Sequence, residues 1–394
     1  MHDVTVIGGG PAGASCAEEL AKKGFSCLVL EKSGEKRYKT CGGGISFEAY
    51  NLKPLPSPIV ERKIVLARIF SPLKSADVGE EEEPGYTVYR TEYDQWLQNE
   101  AEKCGAEIHY EEKARRVTLV NGTVKGQKEY TSRVIVGAFG VCPRLYRMFG
   151  VTIPKWVQLV QEELTLPEDV ISERIGDCIE IYFDSAYATW GYSWIFPKRD
   201  GVSVGLLSLP HTSKKRERLN QFIKSRTSLK GCNPRKFGKK HTFGGFIPLE
   251  PVEKTWGENF VLVGDAAGFC DQVTYEGISN ALKSGRIAAD VIEQYLECGK
   301  PLSLYESLWK KALYEEDLKY AIKLRKLMYG HHLSDRLADA VVEMADDRDI
   351  NTALRWLLNR KEPRKKVYDS IMKKKFLLLR KLGLSTVKLL PRLI

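Results

Sequence analysis

Long apolar runs are missing from this chain. No stretch approaches the roughly 20 residues that a bilayer-spanning helix needs, so no transmembrane span is expected. Met1-His2-Asp3 does not open a basic region followed by an apolar stretch, so no secretory signal is expected. The expected location is the cytoplasm, with at most peripheral contact at the inner face of the membrane. Paired cysteines are missing too. Nine cysteines stand at 16, 27, 41, 104, 142, 178, 232, 270 and 298, and none forms C-x-x-C. Zinc sites and iron–sulfur clusters need closely spaced thiolates, so no metal is expected. An odd, scattered set in a cytoplasmic chain reads as reduced thiols. Tandem repeats and low-complexity blocks are absent, and the 33 glycines and 17 prolines follow no collagen-like period.

Net charge is missing from the body of the chain. The 394 residues hold 61 Lys/Arg and 51 Asp/Glu, a net of +10. Residues 360–394 hold 12 Lys/Arg and 2 Asp/Glu, also +10, which leaves 49 of each sign in residues 1–359. The body therefore offers nucleic acid no electrostatic footprint, and no nucleic-acid partner is expected.

The first 31 residues carry the strongest signal. Val4-Thr5-Val6-Ile7 reads as a buried strand. G-x-G-x-x-G follows at Gly8, Gly10 and Gly13, with Pro11 and Ala12 between. A helix over 14–23 stops at Gly24, and Ser26–Leu30 is a second strand ending at Glu31. Strand, glycine turn, helix, strand and acid stand in the order of a dinucleotide site. Gly8 makes the turn, Gly10 admits a pyrophosphate, Gly13 lets helix and strand pack, and Glu31 accepts the ribose hydroxyls. Further along, the apolar strand Asn259–Val263 runs into Gly264-Asp265-Ala266-Ala267-Gly268, and a helix follows over 276–296. A carboxylate at Asp265 suits a ribityl chain, and a helix N-terminus near Gly277 and Ile278 suits negative charge on a reduced flavin ring. NAD needs neither feature, so the expected cofactor is FAD.

These residues, with Lys39-Thr40-Cys41-Gly42-Gly43-Gly44, Arg90-Thr91-Glu92-Tyr93-Asp94-Gln95-Trp96-Leu97 and Tyr192-Ser193-Trp194-Ile195-Phe196-Pro197, resemble the geranylgeranyl reductase family of FAD-dependent oxidoreductases, within the hydroxylase-like flavoproteins. The resemblance covers most of residues 1–330. It implies an α/β fold: a Rossmann-like FAD-binding domain (1–45, 85–150, 255–298) interleaved with an antiparallel-sheet substrate domain (46–84, 151–254). A helical C-terminal region over 299–394 completes the chain. Candidate cofactor contacts are Gly8, Gly10, Pro11, Ala12, Gly13, Glu31, Lys32, Cys41, Gly42, Gly43, Arg90, Gly264, Asp265, Gly277 and Ile278.

Each narrower motif has its own chemistry. Three glycines at 42–44 remove every side chain from a loop, as close approach of a planar ring requires. Cys41 heads that loop and is the candidate catalytic residue. Tyr192, Trp194 and Phe196 alternate on one strand face, so they can wall an apolar cavity, and Pro197 ends the strand. Two positions depart from the family pattern. Phe139 stands where the group carries an acid, which argues against a standard mono-oxygenase cycle. Thr274-Tyr275-Glu276-Gly277-Ile278 replaces T-G-E-G-I, and Tyr275 fits positive φ poorly. The acidic run Glu80–Glu83 reads as a solvated loop.

The resemblance implies saturation of C=C bonds in a polyprenyl lipid, with hydride from reduced flavin N5. The electron donor would be NAD(P)H or a ferredoxin-like carrier protein. The alternatives are a flavin mono-oxygenase or halogenase, and a non-catalytic or electron-carrying flavoprotein. Residues 360–394 mix basic residues with Ile371, Phe376, Leu377–Leu379 and Leu382. A basic amphipathic helix of that kind suits an anionic membrane surface, and the competing expectation is a helix packed on the protein itself.

Overall fold

The computed structural model describes residues 1–209, 214–236, 242–329 and 334–382. One sheet runs Glu107–His109, Cys27–Leu30, His2–Ile7, Glu129–Gly137, Thr123–Lys125, Arg116–Thr118, with Phe260–Leu262 also paired to Glu129–Gly137. Its central strands pair in parallel, Val4 opposite Cys27 and Val134, and Ile135 opposite Phe260. Val4, Val6, Leu28, Val29 and Val134–Val136 are wholly buried, as parallel strands covered on both faces must be. The helices Pro11–Lys22 and Ile278–Cys298 pack together on this sheet. A Cβ at Gly285 would stand 2.5 Å from the Ala12 carbonyl, so glycine there lets the two helices touch backbone to backbone. Their first turns consequently converge where the strands end.

The second sheet runs Asn233–Pro234, Trp156–Thr165, Gly201–Ser208, Tyr192–Pro197, Cys178–Tyr182, Leu66–Phe70, Ser75–Gly79, with Thr242–Pro248 also paired to Trp156–Thr165. It is antiparallel except where Cys178–Tyr182 meets Leu66–Phe70. Trp194 faces Gly205 across the ladder, and a Cβ at Gly205 would lie 2.2 Å from the indole, so that glycine makes room for the ring. Gly44–Ile45, Gly85–Thr87 and Arg62–Ile64 form a three-stranded sheet at the junction.

In the C-terminal region a π segment, Lys310–Leu318, stands between the helices Leu304–Trp309 and Lys319–Met328. The basic segment forms two helices, Arg364–Lys373 and Lys375–Leu382, which meet at Lys374. Most important, the basic segment is not all surface. Arg360 and Arg364 are 4% and 0% exposed. Arg364 Nε donates to Asp271 Oδ2 at 2.5 Å, and Arg360 bridges Glu48, Asp271 and Asp317 at 2.7, 3.1 and 3.1 Å. Leu378 and Leu382 join the apolar cluster of Ile69, Val78, Leu327 and Leu354. Up to Leu382 the segment is thus docked on the fold, because buried carboxylates distant in sequence require those arginines. Residues 383–394 lie outside the described residues. The acidic run is also no plain solvated loop. Glu83 accepts from Asn359 Nδ2 at 2.6 Å and pairs with Lys361, and Glu80 pairs with Arg355.

Candidate active site

One cavity of about 840 Å³ joins the two sheets and the C-terminal helices. Its polar end is lined by Gly8, Gly10, Pro11, Ala12, Glu31 and the exposed Lys32. Its waist is lined by Cys41, Gly42, Arg90, Asp265, Gly277, Ile278, Tyr192, Trp194 and Phe196. Its far end runs between Leu66–Gly79 and the C-terminal helices, against Leu327, Val342, Leu354 and Leu378.

Four of the expected site residues shape the cavity without lining it. A Cβ on Gly13 would fall 2.0 Å from the Gly8 carbonyl, so Gly13 serves the strand–helix contact. Gly43 turns at φ +73°, and a Cβ there would fall 2.0 Å from the Val88 carbonyl. Gly264 turns at φ +58° and donates its N–H to Ser284 Oγ. Pro197 is directed away, its carbonyl accepting from Thr87 Oγ1 at 2.6 Å. The aromatic strand face has a more specific use than a cavity wall alone. Cβ atoms at Gly42 and Gly44 would come within 2.7 and 2.9 Å of the Phe196 ring, so the glycines are the seat of that ring.

Charges at the waist are compensated in layers. Asp94, wholly buried, accepts from Arg90 Nε and Nη2 at 2.7 and 3.0 Å and from Arg37 Nη2 at 2.5 Å. Cys41 also acts on Arg90 electrostatically. Burial raises the Asp265 carboxyl, with Lys39 and Arg90 opposing. Burial lowers Lys39, with Asp265 opposing. Glu31 accepts from the N–H groups of Gly9 and Ser33 at 2.9 and 3.0 Å. Phe139 lines the cavity and packs edge-on to Tyr146, and Tyr146 OH donates to the Asp265 carbonyl. Tyr275 holds φ +57° with its ring between Tyr192 and Tyr329, centroids 6.1 and 6.3 Å away.

The residues fit FAD. A Cβ at Gly10 would meet only the tip of Arg37, so the backbone is bare where a pyrophosphate must approach. Glu31 stands in the same cavity as this turn, and Asp265 and the start of helix Ile278–Cys298 face its waist. Gly8, Gly10, Glu31 and Lys32 would hold the adenosine and pyrophosphate; Asp265, Gly277 and Ile278 would hold the ribityl chain and ring.

Comparison with known proteins agrees. The family described as pyridine nucleotide-disulphide oxidoreductase matches residues 2–166. Digeranylgeranylglycerophospholipid reductase 2 of Methanothermobacter thermautotrophicus is 30% identical over 377 residues, covering 89% of this chain and 93% of its own. The digeranylgeranylglycerophospholipid reductase of Methanocaldococcus jannaschii is 30% identical over 402 residues, covering 94% and 98%. The chain belongs to the geranylgeranyl reductase family. It is an FAD-dependent oxidoreductase. A geranylgeranyl bacteriochlorophyll reductase-like protein from Thermoplasma acidophilum shares the fold, with a TM-score of 0.82, 24% identity and coverage of 97% and 98%. The flavin-dependent brominase Bmp2 shares it at 0.75 and 18%, covering 96% of this chain and all of that one.

Sequence reasoning passed over Arg37 and the entire far wall, and gave Lys39, the first residue of the Cys41 motif, no role of its own. Arg37 belongs to no motif. The wall comes from helices that read in sequence as a separate region.

Proposed function

We propose that this chain saturates isolated C=C bonds in a polyprenyl lipid of the geranylgeranyl type. The observation that carries the reading is the continuity of the cavity from the cofactor residues into an apolar lumen beneath the C-terminal helices. At about 840 Å³ it lies toward the upper end of the roughly 300–1,000 Å³ common for ligand sites. An unactivated alkene offers no carbonyl to polarise, so placement and exclusion of water must supply most of the effect. Bound FAD, once reduced, supplies the hydride. The protein's own part is to hold the prenyl chain against Leu327, Leu354 and Leu378 and to close the waist with Tyr192, Trp194 and Phe196. The test is anaerobic stopped-flow spectroscopy of the dithionite-reduced protein mixed with a geranylgeranyl lipid. Reoxidation of the flavin by the lipid alone is expected; reoxidation only when oxygen is admitted contradicts the reading.

The same reading puts the protein at a membrane surface, where such a lipid resides. It is supported by Phe376, 76% exposed on the last described helix, with Lys375 over its ring and Arg380 and Lys381 on the same helix. No helix among the described residues is long and apolar enough to cross a membrane, so contact is peripheral.

A further inference from the structure

The turn beside the flavin site hangs from the C-terminal segment. Residues 273–278 all line the cavity, so one short turn is wall both to the ring end of the cofactor site and to the neighbouring lumen. Its backbone is not a relaxed one, since Tyr275 holds φ +57°. Asp271 anchors it from within. Asp271 Oδ1 accepts from the N–H groups of Val273 and Thr274 at 2.8 and 2.9 Å and from Thr274 Oγ1 at 3.1 Å. The Asp271 N–H donates to the Glu276 carbonyl at 2.8 Å and closes the turn. Glu276 Oε1 then accepts from the Ser279 N–H at 2.8 Å, in the first turn of helix Ile278–Cys298.

The other carboxylate oxygen of Asp271 belongs to the C-terminal segment. Asp271 Oδ2 accepts from Arg364 Nε at 2.5 Å and from Arg360 Nη1 at 3.1 Å. Arg360 also donates Nη2 to Asn280 Oδ1 at 3.1 Å and stands 3.4 Å from Glu276 Oε2, so it grips the turn and the start of the following helix together. Asp317 backs both arginines. It accepts from the Arg364 N–H at 3.0 Å and from Arg360 Nη2 at 3.1 Å. Asp317 stands on the π segment Lys310–Leu318, and such segments are rare and recur at functional sites. Two hydroxyls add tethers: Tyr329 OH donates to the Val273 carbonyl at 3.2 Å and Tyr192 OH to the Thr274 carbonyl at 2.5 Å. Asp271, Arg360 and Arg364 are each at most 4% exposed, and none of the three lines the cavity. Buried ion networks are a poor way to gain stability; their better use is to fix one arrangement.

We propose that Arg364 and Arg360 are positioning residues for the reaction: acting through Asp271, they hold the turn 273–278 and the start of helix Ile278–Cys298 in place at the flavin site. The effect on the flavin rests on FAD binding alone; the effect on turnover rests on the reductase reading above. A helix N-terminus favours negative charge, so a helix start held at the ring stabilises the reduced cofactor. A turn released from the clamp lets that end withdraw, and the bound flavin becomes harder to reduce. The same turn presents Tyr275 to the lumen, so its release also loosens the placement of the prenyl chain. Rates depend steeply on such placement, because reacting atoms must be held close and aligned. The C-terminal segment therefore contributes to the chemistry without touching cofactor or lipid at these arginines.

The test uses the FAD-loaded full chain and the variants Arg364→Met, Arg364→Lys and Tyr329→Phe. Circular dichroism and flavin content establish which of them fold. The midpoint potential of the bound flavin, read by dye-linked titration with dithionite, should move to a more negative value in Arg364→Met. Arg364→Lys should restore part of that shift. With a geranylgeranyl lipid, kcat per bound flavin should fall about tenfold or more in Arg364→Met while KM stays within about twofold. Tyr329→Phe removes a single tether, so it should show the same changes at smaller size, about threefold in kcat. It carries the test if Arg364→Met does not fold. A merely structural role would lower the yield of folded protein and leave the potential and kcat per bound flavin unmoved. A wild-type potential in the folded variants overturns the proposal. A wild type that forms no saturated lipid removes the reductase reading, and the potential then decides the clamp by itself.

Discussion

Replacing Arg360 by methionine isolates the charge at the centre of the C-terminal dock. Residue 360 sits at φ +59°, a conformation equally unwelcome to either side chain, so the backbone contribution cancels in the comparison. The guanidinium is 2% exposed and pairs with Glu48, Asp271 and Asp317 within 3.1 Å and with Glu276 at 3.4 Å. Removing one partner of a buried ion pair leaves uncompensated charge and costs about 3–5 kcal/mol. That is a large part of the roughly 5–15 kcal/mol that holds a typical domain folded. The acid limb gives a second signature. Burial alone would raise Glu48 and Asp271, yet Arg360 with Lys283 holds Glu48 at about 2, and Arg364 with Arg360 holds Asp271 at about 2. Both carboxyls lie below their unfolded values near 4, so their contribution is present above about pH 4 and is lost as pH falls toward 2. At roughly 1.4 kcal/mol per unit, each contributes about 3 kcal/mol at neutral pH. Urea unfolding followed by circular dichroism should show the variant less stable by about 3–5 kcal/mol at neutral pH, with a shallower loss between about pH 5 and pH 2. Equal midpoints at neutral pH, or parallel acid limbs, would refute the account of the dock.

Three further outcomes follow from the cavity and the tail. Gly10→Val should fold, because its Cβ meets only the tip of Arg37 2.9 Å away, yet the protein should lose its flavin to an ultrafiltrate assayed by absorbance. Leu327→Trp places a larger ring in the lumen; FAD should stay bound while turnover of a geranylgeranyl lipid falls at least tenfold in a product assay. Removing residues 383–394 together with Phe376→Ser should abolish salt-sensitive sedimentation with anionic vesicles, whereas cutting after Asn359 would remove Arg360 and Arg364 and unfold the dock. Equal sedimentation of the first variant and the full chain would return the tail to plain helix packing.

What the sequence made legible is what is local in the chain. The fingerprint, the two strands around it and Glu31 sit within 31 residues, and the glycine spacing specifies their geometry directly. The face shared by Tyr192, Trp194 and Phe196 follows from strand alternation alone. The remainder depended on partners far apart. Arg364 meets Asp271 across 93 residues, so periodicity could not distinguish a buried arginine from a solvated one. Glu163 stands on a strand that otherwise reads as ordinary alternation, and Lys198 stands just past the end of another. Both meet the Cys41 loop only in the fold, Lys198 through the Gly42 carbonyl. Tyr275 broke a local rule in the sequence, and it keeps positive φ in the fold while its ring joins an aromatic cluster at the cavity.

The central claim is tested most directly by the mass of the product. The reduced protein is incubated without oxygen with a geranylgeranyl lipid, and the extract is analysed by mass spectrometry. The account predicts products heavier by roughly two mass units for each bond, one hydride and one proton, with no other element gained. A product carrying added oxygen or halogen, or lipid recovered unaltered while the flavin stays reduced, would contradict it.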